Sequence, residues 1–352
     1  MPSQQRTEER LTIREIAETA GVSAMTVSRV LNKRPDVAPA TRERIEQIVA
    51  ESGFVRSRAA RAMRKGRHGL IDLVVLSLDS PYILEIIRGV EEALEPTGLR
   101  LVVSATHGED QRERQWLAKI ADGWTDGAIL VLAQGQSERV QSLRRRRTPF
   151  VVVDHEGELG PHVPSVGATN WAGARSATEY LLSLGHRRIA FIGGSPTLGC
   201  AQERASGYRE AMQSAGVEPD PQLIRPGTFR HESGYEQTMA LLDMASPPTA
   251  IFAGNDTMAF GCYSALRARG VRVPDAMSVV GFDDVLVAPL VIPPLTTVRQ
   301  PLVDMGRFAV SMLLRQIEGM PLDALRVELA TSLVVRESCA RPAARSRRQA
   351  PS

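Results

Sequence analysis

Residues Thr12–Asn32 read TIREIAETAGVSAMTVSRVLN. Ile13, Ile16, Ala17 and Ala20 fall on one face of a 3.6-residue period, which predicts a short helix. Thr12 and Glu15 have the capping-box spacing that starts one. Gly21 ends it, because glycine takes the left-handed backbone that closes a helix tightly. Ser23 is placed to cap a second helix. There Val27 and Val30 face inward with Leu31 beside them, and Ala24, Met25, Thr26, Ser28 and Arg29 stay outside. A third helix follows, with Pro39 in its first turn, Ile45, Ile48 and Val49 as its buried stripe, and Gly53 at its end. Ala38 takes the cap position, a weaker choice than serine. Two short helices about a glycine turn make a helix-turn-helix, whose second helix fits the major groove. An ordinary helical hairpin shares the spacing of Ala17, Gly21 and Val27. The exposed Thr-x-Ser-Arg favours DNA, because hydroxyls and arginine suit phosphates and guanine edges.

Charge divides the chain in the same place. Residues 1–67 carry 14 Lys/Arg against 8 Asp/Glu, a balance of +6; residues 336–352 carry +4; the 268 residues between carry −7. A basic head on an acidic body directs a polyanion to the head alone. With 352 residues, 43% of them hydrophobic, two or three structural units with a sizeable core are expected. No run of 18 apolar residues predicts a membrane span, and the N-terminus lacks an apolar leader core, so a cytoplasmic, nucleoid-associated protein is expected. Cys200, Cys262 and Cys339 are isolated, which suits core residues or a tail thiol rather than a disulfide frame or zinc site.

The body, 70–337, alternates short apolar runs with amphipathic helical patterns. The strands expected are IDLVVLS, LRLVVSA, GAILVLA, PFVVVDH, RIAFIGG, TAIFAGN and SVVGFDD. Such runs with helical crossovers predict parallel, doubly wound sheets covered on both faces. Ligands then bind beyond the carboxyl ends of the strands. Asp79, Asp154, Asn255, Asp256, Asp283 and Asp284 stand at those ends, and Arg204 opens the helix after RIAFIGG. Carboxylates, an amide and an arginine suit sugar hydroxyls, with Phe229 or Trp171 as a stacking ring. Asp256 and Asp284 are the two read as helix caps only.

The head, TIREIAETAGVSAMTVSRVLN followed by RPDVAPATRERIEQIVAESGF, resembles the DNA-binding head of the lactose/galactose repressor family. With GHRRIAFIGG, ERASGYREAM, PTAIFAGNDTMAFG, SVVGFDD and PPLTTVRQP, the resemblance covers roughly residues 11–337. It implies a two-lobed α/β effector domain, similar to periplasmic sugar-binding proteins, behind a small all-α head. Residues 1–10 are then a flexible N-terminus, 11–54 the head, 55–69 a hinge, 70–337 the effector and dimerisation domain, and 338–352 a disordered basic tail. Arg204 and Asp283 match ligand-holding positions, with Asp154, Asn255 and Phe229 as neighbours. Cys200 falls where some relatives place a hydroxyl. Lobe crossings are implied near Ala168, Val298 and Leu325. VPSVGATNWAG resembles relatives that sense plant-derived saccharides, which suggests a pentose or short oligosaccharide.

The hinge, VRSRAARAMRKGRHG, reads alone as a basic linker too short for a stable helix. In the family it folds on the operator and wedges the minor groove. Here Ser57, Arg58 and Ala60 would meet DNA, with Met63 in place of the usual leucine wedge. In the head, Ala24, Met25 and Arg29 are expected at bases, and Thr12, Ser23, Thr26, Ser28 and Asn32 at the backbone. The partners implied are a pseudo-palindromic operator duplex, a saccharide effector and a second copy of the chain. ILEIIRGVEEAL and GRFAVSMLL are the candidate interface helices, either of which also suits plain lobe packing. The tail lacks leucine heptads, so a homodimer is expected.

No cofactor, metal site or enzymatic activity is expected. FIGGSPTLG is not a dinucleotide fingerprint; Walker, H-E-x-x-H and G-x-S-x-G motifs are absent, and the histidines lack metal spacing. His186 in LGHRR is read as ordering a turn before a strand. The alternative, a sugar-binding protein serving a transporter, explains the body but not the head.

Overall fold

A computed structural model describes residues 12–31, 33–52, 68–134, 138–156, 160 and 162–343. The chain divides into two compact units that meet at His68 and Gly69. In the first, α1 (Ile13–Thr19), α2 (Ala24–Leu31) and α3 (Pro39–Glu51) pack around Ile16, Ala17, Ala20, Val27, Val30 and Ile45. The capping box is formed in both directions: the Thr12 amide donates to Glu15 Oε2 at 2.5 Å and the Glu15 amide to Thr12 Oγ1 at 3.4 Å. Gly21 has φ +61°, and the Val22 amide returns to the Ala17 carbonyl at 2.9 Å, closing the turn. Ala38 caps α3 without a side-chain bond. Gly53 and the hinge positions Ser57, Arg58, Ala60 and Met63 lie outside the described residues, as does Asn32.

The second unit holds two sheets. In lobe 1 the order is β11-β5-β4-β3-β1-β2, formed by β1 (Leu70–Val75), β2 (Arg100–Ala105), β3 (Gly127–Gln134), β4 (Phe150–Glu156), β5 (Ser165–Ala168) and β11 (Arg326–Leu329). All its pairings are parallel. Helices α4 (Pro81–Leu94) and α11 (Leu302–Ile317) cover one face; α5 (Asp110–Ala121) and α6 (Glu138–Arg146) cover the other. In lobe 2 the order is β12-β10-β9-β8-β6-β7, formed by β6 (Ile189–Ile192), β7 (Ile224–Arg225), β8 (Ala250–Ala253), β9 (Ser278–Asp283), β10 (Thr296–Arg299) and β12 (Ser332–Val334), of which only β12 runs antiparallel to its neighbour. Here α7 (Asn170–Ser183) and α8 (Gly199–Ser214) cover one face, α9 (His231–Leu242) and α10 (Asp256–Ala268) the other. Burial on both faces is why β1, β6, β8 and β9 read as continuous apolar runs, whereas β2, at the sheet edge, is apolar but partly exposed.

The chain crosses between lobes after β5, after β10 and between β11 and β12. The first two crossings match the expectation. The third falls at Ala330 and Thr331 rather than near Leu325, because Arg326–Leu329 still pairs within lobe 1. The segment from Ser338 to Ala340, expected in the tail, is held by lobe 2. Ser338 is fully buried, with Oγ accepting from the Thr296 amide at 2.8 Å and donating to the Val279 carbonyl at 2.6 Å. His186 lies 2.8 Å from Thr249 Oγ1 and 2.9 Å from the Ala340 carbonyl, so it pins that segment as well as the turn before β6. Burial depresses its pKa, opposed by the bond to the Ala340 carbonyl. The two candidate interface helices spend their inner faces on each other. A Cβ at Gly89 would collide with the Val303 carbonyl, and one at Gly306 would press on Ile86. Leu84 and Phe308 remain on the outside. Among the described residues no helix is long and apolar enough to cross a membrane.

Candidate functional site

The first candidate surface is the exposed face of α2. Ser23 Oγ accepts from the Thr26 amide at 3.1 Å and bonds the Thr26 hydroxyl at 2.9 Å, so both hydroxyls are gathered at the start of this helix. Free amides and a positive dipole end make such a terminus a phosphate site. Thr12 does the same at α1. Met25 is 67% exposed and Ala24 is exposed beside it, while Ser28 is half-buried. Arg29 pairs with Asp36 at 3.5 Å, a contact the sequence did not suggest. Both side chains are about half exposed, so the pair is weak and DNA can displace it.

The second candidate site lies between the lobes. Asp154 at the end of β4, Arg204 in the first turns of α8 and Asp283 at the end of β9 are all buried. Arg204 Nε donates to Asn170 Oδ1 at 2.9 Å and Nη1 to the Gly254 carbonyl at 2.6 Å; Nη1 is 3.7 Å from Asp283 Oδ1. Its guanidinium sits 3.8 Å from the centre of the Phe282 ring and 5.5 Å from that of Phe229. Gln300 also holds Asp283, Nε2 donating to the same Oδ1 at 2.7 Å. The Tyr82 hydroxyl donates to Asp154 Oδ2 at 2.6 Å. Burial raises the pKa of both carboxyls, and the nearby Arg204 opposes the rise. Asp283 is pushed up to about 7, so burial outweighs its loosely placed cation. Burial also pushes the Cys200 thiol to about 12, which makes it a small apolar wall rather than a nucleophile.

A cavity of about 80 Å³ opens beside Asp154, with Asn170, Cys200 and Glu203 from lobe 2 facing His155, Arg326 and Glu328 from lobe 1. Phe229 has a left-handed backbone, φ 61°, and its ring lies against Gly194, where any Cβ would strike it. Asn255 supports it: its Nδ2 donates to the Phe229 carbonyl at 3.1 Å while its Oδ1 caps α10 through the Met258 amide at 2.9 Å. The structure thus exchanges two expected roles. Asn255 is the cap, and Asp256, read as a cap only, is fully buried, accepting from Thr297 Oγ1 at 2.5 Å and the Val285 amide at 2.9 Å. Asp284 is no cap either; it takes Arg299 at 2.7 Å and Arg336 at 2.6 Å.

Two expected residues stand apart from this cluster. Asp79 is exposed, accepts from Ser77 and faces Arg230 of the other lobe at 3.7 Å. Trp171 does not line the cavity; its ring lies under the Arg175 guanidinium at 5.4 Å. Tyr82, Asn170, Glu203 and Gln300 escaped the sequence reading. Asn170 and Gln300 follow β5 and β10, two strands the apolar pattern does not show, so nothing in the sequence marks either residue as standing at a strand end. Among the described residues no group of His, Cys, Asp and Glu could hold a metal ion.

Residues 12–57 match the model of bacterial regulatory proteins of the lacI family, and residues 178–339 that of a periplasmic binding protein-like domain. The chain is 37% identical over 335 residues to the HTH-type transcriptional regulator CelR of Thermobifida fusca, covering 94% of this chain and 98% of that one. It is 34% identical over 327 residues to the ribose operon repressor of Halalkalibacterium halodurans, covering 93% and 96%. Among solved structures, the lac repressor dimer bound to operator and the anti-inducer ONPF superposes with a TM-score of 0.83 at 28% identity, covering 94% of this chain and 100% of that one. The CelR–cellobiose complex does so with a TM-score of 0.72 at 35% identity, with the same coverage.

Proposed function

The chain belongs to the lacI family of bacterial regulatory proteins, and on that premise we propose that it is a cytoplasmic homodimeric repressor of a carbohydrate-utilisation operon, released from its operator by an uncharged saccharide. Members of this family are DNA-binding regulators rather than enzymes. The single observation that carries the effector reading is the buried set Asp154, Arg204 and Asp283 at facing strand ends, with Phe229 across the guanidinium. Fixed acceptors and donors beside an aromatic face suit the hydroxyls and the apolar face of a sugar ring. Arg204 already serves Asn170, Gly254 and Asp283, which leaves it poorly placed to take a phosphate. A ligand that binds one lobe arrangement better shifts the population by that difference in affinity and alters the fit of the paired hinges to DNA.

The test is fluorescence anisotropy of the full chain on duplexes from its own upstream region, with a panel of pentoses and short oligosaccharides. Ribose and cellobiose head the panel, because a relative of each is named for or solved with that sugar. Specific binding relieved by one sugar is expected. A chain that binds the sugars but no duplex would instead be a solute-binding protein.

In the head, Arg29 is the hydrogen-bonding base reader, and Ala24 and Met25 read by apolar contact. Arg29→Ala is expected to lose ~1–3 kcal/mol on the operator and relax preference at one base pair. Competition with single-base operator variants checks this, and an unchanged preference would remove Arg29 from that role.

The cleft also predicts a pH dependence. Sugar hydroxyls donate to ionised Asp283, so binding must expel the proton that Asp283 holds below about 7. Effector affinity is expected to rise with pH from 6 to 8, approaching tenfold per unit on the acid side. Calorimetry across that range should find the slope abolished in Asp283→Asn; a flat profile for the unaltered protein would count against a titrating Asp283.

A further inference from the structure

Lobe 1 exposes a run of four arginines that neither the cleft nor the head employs. Arg144, Arg145 and Arg146 close α6, and Arg147 turns out of it with φ 55°. All four are exposed. The carbonyl end of a helix favours positive charge, which accounts for one or two such residues. Four in succession exceed what the helix end alone favours and concentrate positive charge at one exposed place.

The register of the sheet locates them. Asp72 of β1 pairs with Ala128 of β3, and Ala128 with Phe150 of β4. Gly69 immediately precedes β1 and Arg147 comes three residues before β4, with β3 between the two strands, so both lie at the N-terminal edge of this parallel sheet. Gly69 is where the chain enters lobe 1 from the DNA-binding head. Only 17 positions separate it from Ser52, a reach of at most ~60 Å fully extended. The covalent link to the head therefore joins lobe 1 at this edge of its sheet, opposite the strand ends that line the cleft. The neighbouring turn carries Asp122 and Asp126, but Asp126 is already spent on the Gly69 amide at 2.7 Å.

We propose that Arg144, Arg145, Arg146 and Arg147 form a second DNA contact, a sequence-independent grip on phosphates flanking the operator. Guanidinium forks suit phosphate oxygens. The inference rests on the reading of the head as the operator binder. Its test compares two duplexes over a range of KCl concentrations, one ending at the operator edges and one with about 20 flanking base pairs of arbitrary sequence on each side. The full chain should bind the longer duplex about tenfold more tightly at ~0.1 M salt, with a log–log salt slope steeper by about 2 to 4, since each neutralised phosphate contributes about 0.9. The variant Arg144→Gln/Arg145→Gln/Arg146→Gln/Arg147→Gln should lose that increment yet keep its affinity for the short duplex within twofold. Arg145→Glu/Arg147→Glu, which leaves half the run in place, should do the same. Equal length increments and slopes for variants and unaltered protein would overturn the proposal, and would leave an acidic protein as the occupant to seek. Failure of the unaltered protein on both duplexes would strike down the operator reading itself, and this contact with it.

Discussion

Arg204→Met is expected to abolish the effector response and to cost the fold about 3–5 kcal/mol, the range for removing one partner of a buried ion pair. Arg204 is 3% exposed, and methionine fills its volume without its donors. The Asn170 Oδ1 and Gly254 carbonyl acceptors and the Asp283 carboxylate then lose their donor or counter-charge inside the protein. Asp283 already has a pKa raised to about 7 by burial, so its ionised form opposes folding. A raised folded pKa means the associated stability is complete below the unfolded value of about 4 and is lost as pH rises through 7. Without Arg204 that value climbs further, so the loss should deepen between pH 6 and 8. Denaturant unfolding at pH 5 and pH 8 measures this, with anisotropy for the effector response. Arg204→Met/Asp283→Asn should recover at least ~1 kcal/mol at pH 8, because the unpaired charge is gone. A single variant as stable as the parent at both pH values, and still released by effector, would deny Arg204 its place at the centre of the cleft.

The legible parts of this molecule are those where local chemistry and fold agree. The capping box at Thr12 and Glu15, the glycine turn at Gly21 and the inward Val27 and Val30 all depend on near neighbours in sequence. The seven strands found in the sequence announce themselves as apolar runs, most of them because two covered faces demand apolar residues throughout. The hidden strands are short and lack an apolar run. Arg326–Leu329 alternates at an exposed edge, and Thr296–Arg299 buries threonines whose hydroxyls find partners at Asp256 and Arg336. Nothing local marks them, so the residues that follow, Asn170 and Gln300, stayed unread. The exchange between Asn255 and Asp256 has a similar cause. Either side chain can cap a helix, and only the path of β8 into α10 decides which one turns toward Thr297. Ser338 looked like tail because its polarity is satisfied by strands 42 and 59 residues away in sequence.

Leu290→Asp/Ile292→Asp is expected to leave a folded monomer that binds the operator about 10⁴-fold more weakly. In the segment between β9 and β10, Leu286 is 66%, Leu290 75% and Ile292 91% exposed. Apolar side chains this exposed within seven residues suit an association surface. The same segment shares a cavity with α4, where Leu286 and Pro289 meet Glu85 and Arg88, so it adjoins one of the two helices expected at the dimer contact. Burying such a surface against its own copy is the isologous arrangement of a two-fold dimer. The energetic consequence follows from the operator. A two-fold site read by two heads binds with about 12 kcal/mol at nanomolar affinity, shared between half-sites. A monomer keeps one head and about half of that, which converts to the stated loss and approaches non-specific binding. Because these side chains are exposed in the single chain, the substitutions should leave each monomer folded, with a melting temperature lowered only by the lost association free energy. Light scattering reads the mass and anisotropy the affinity. A variant that remains dimeric would move the interface elsewhere, and a monomer with undiminished operator affinity would remove the need for two readers.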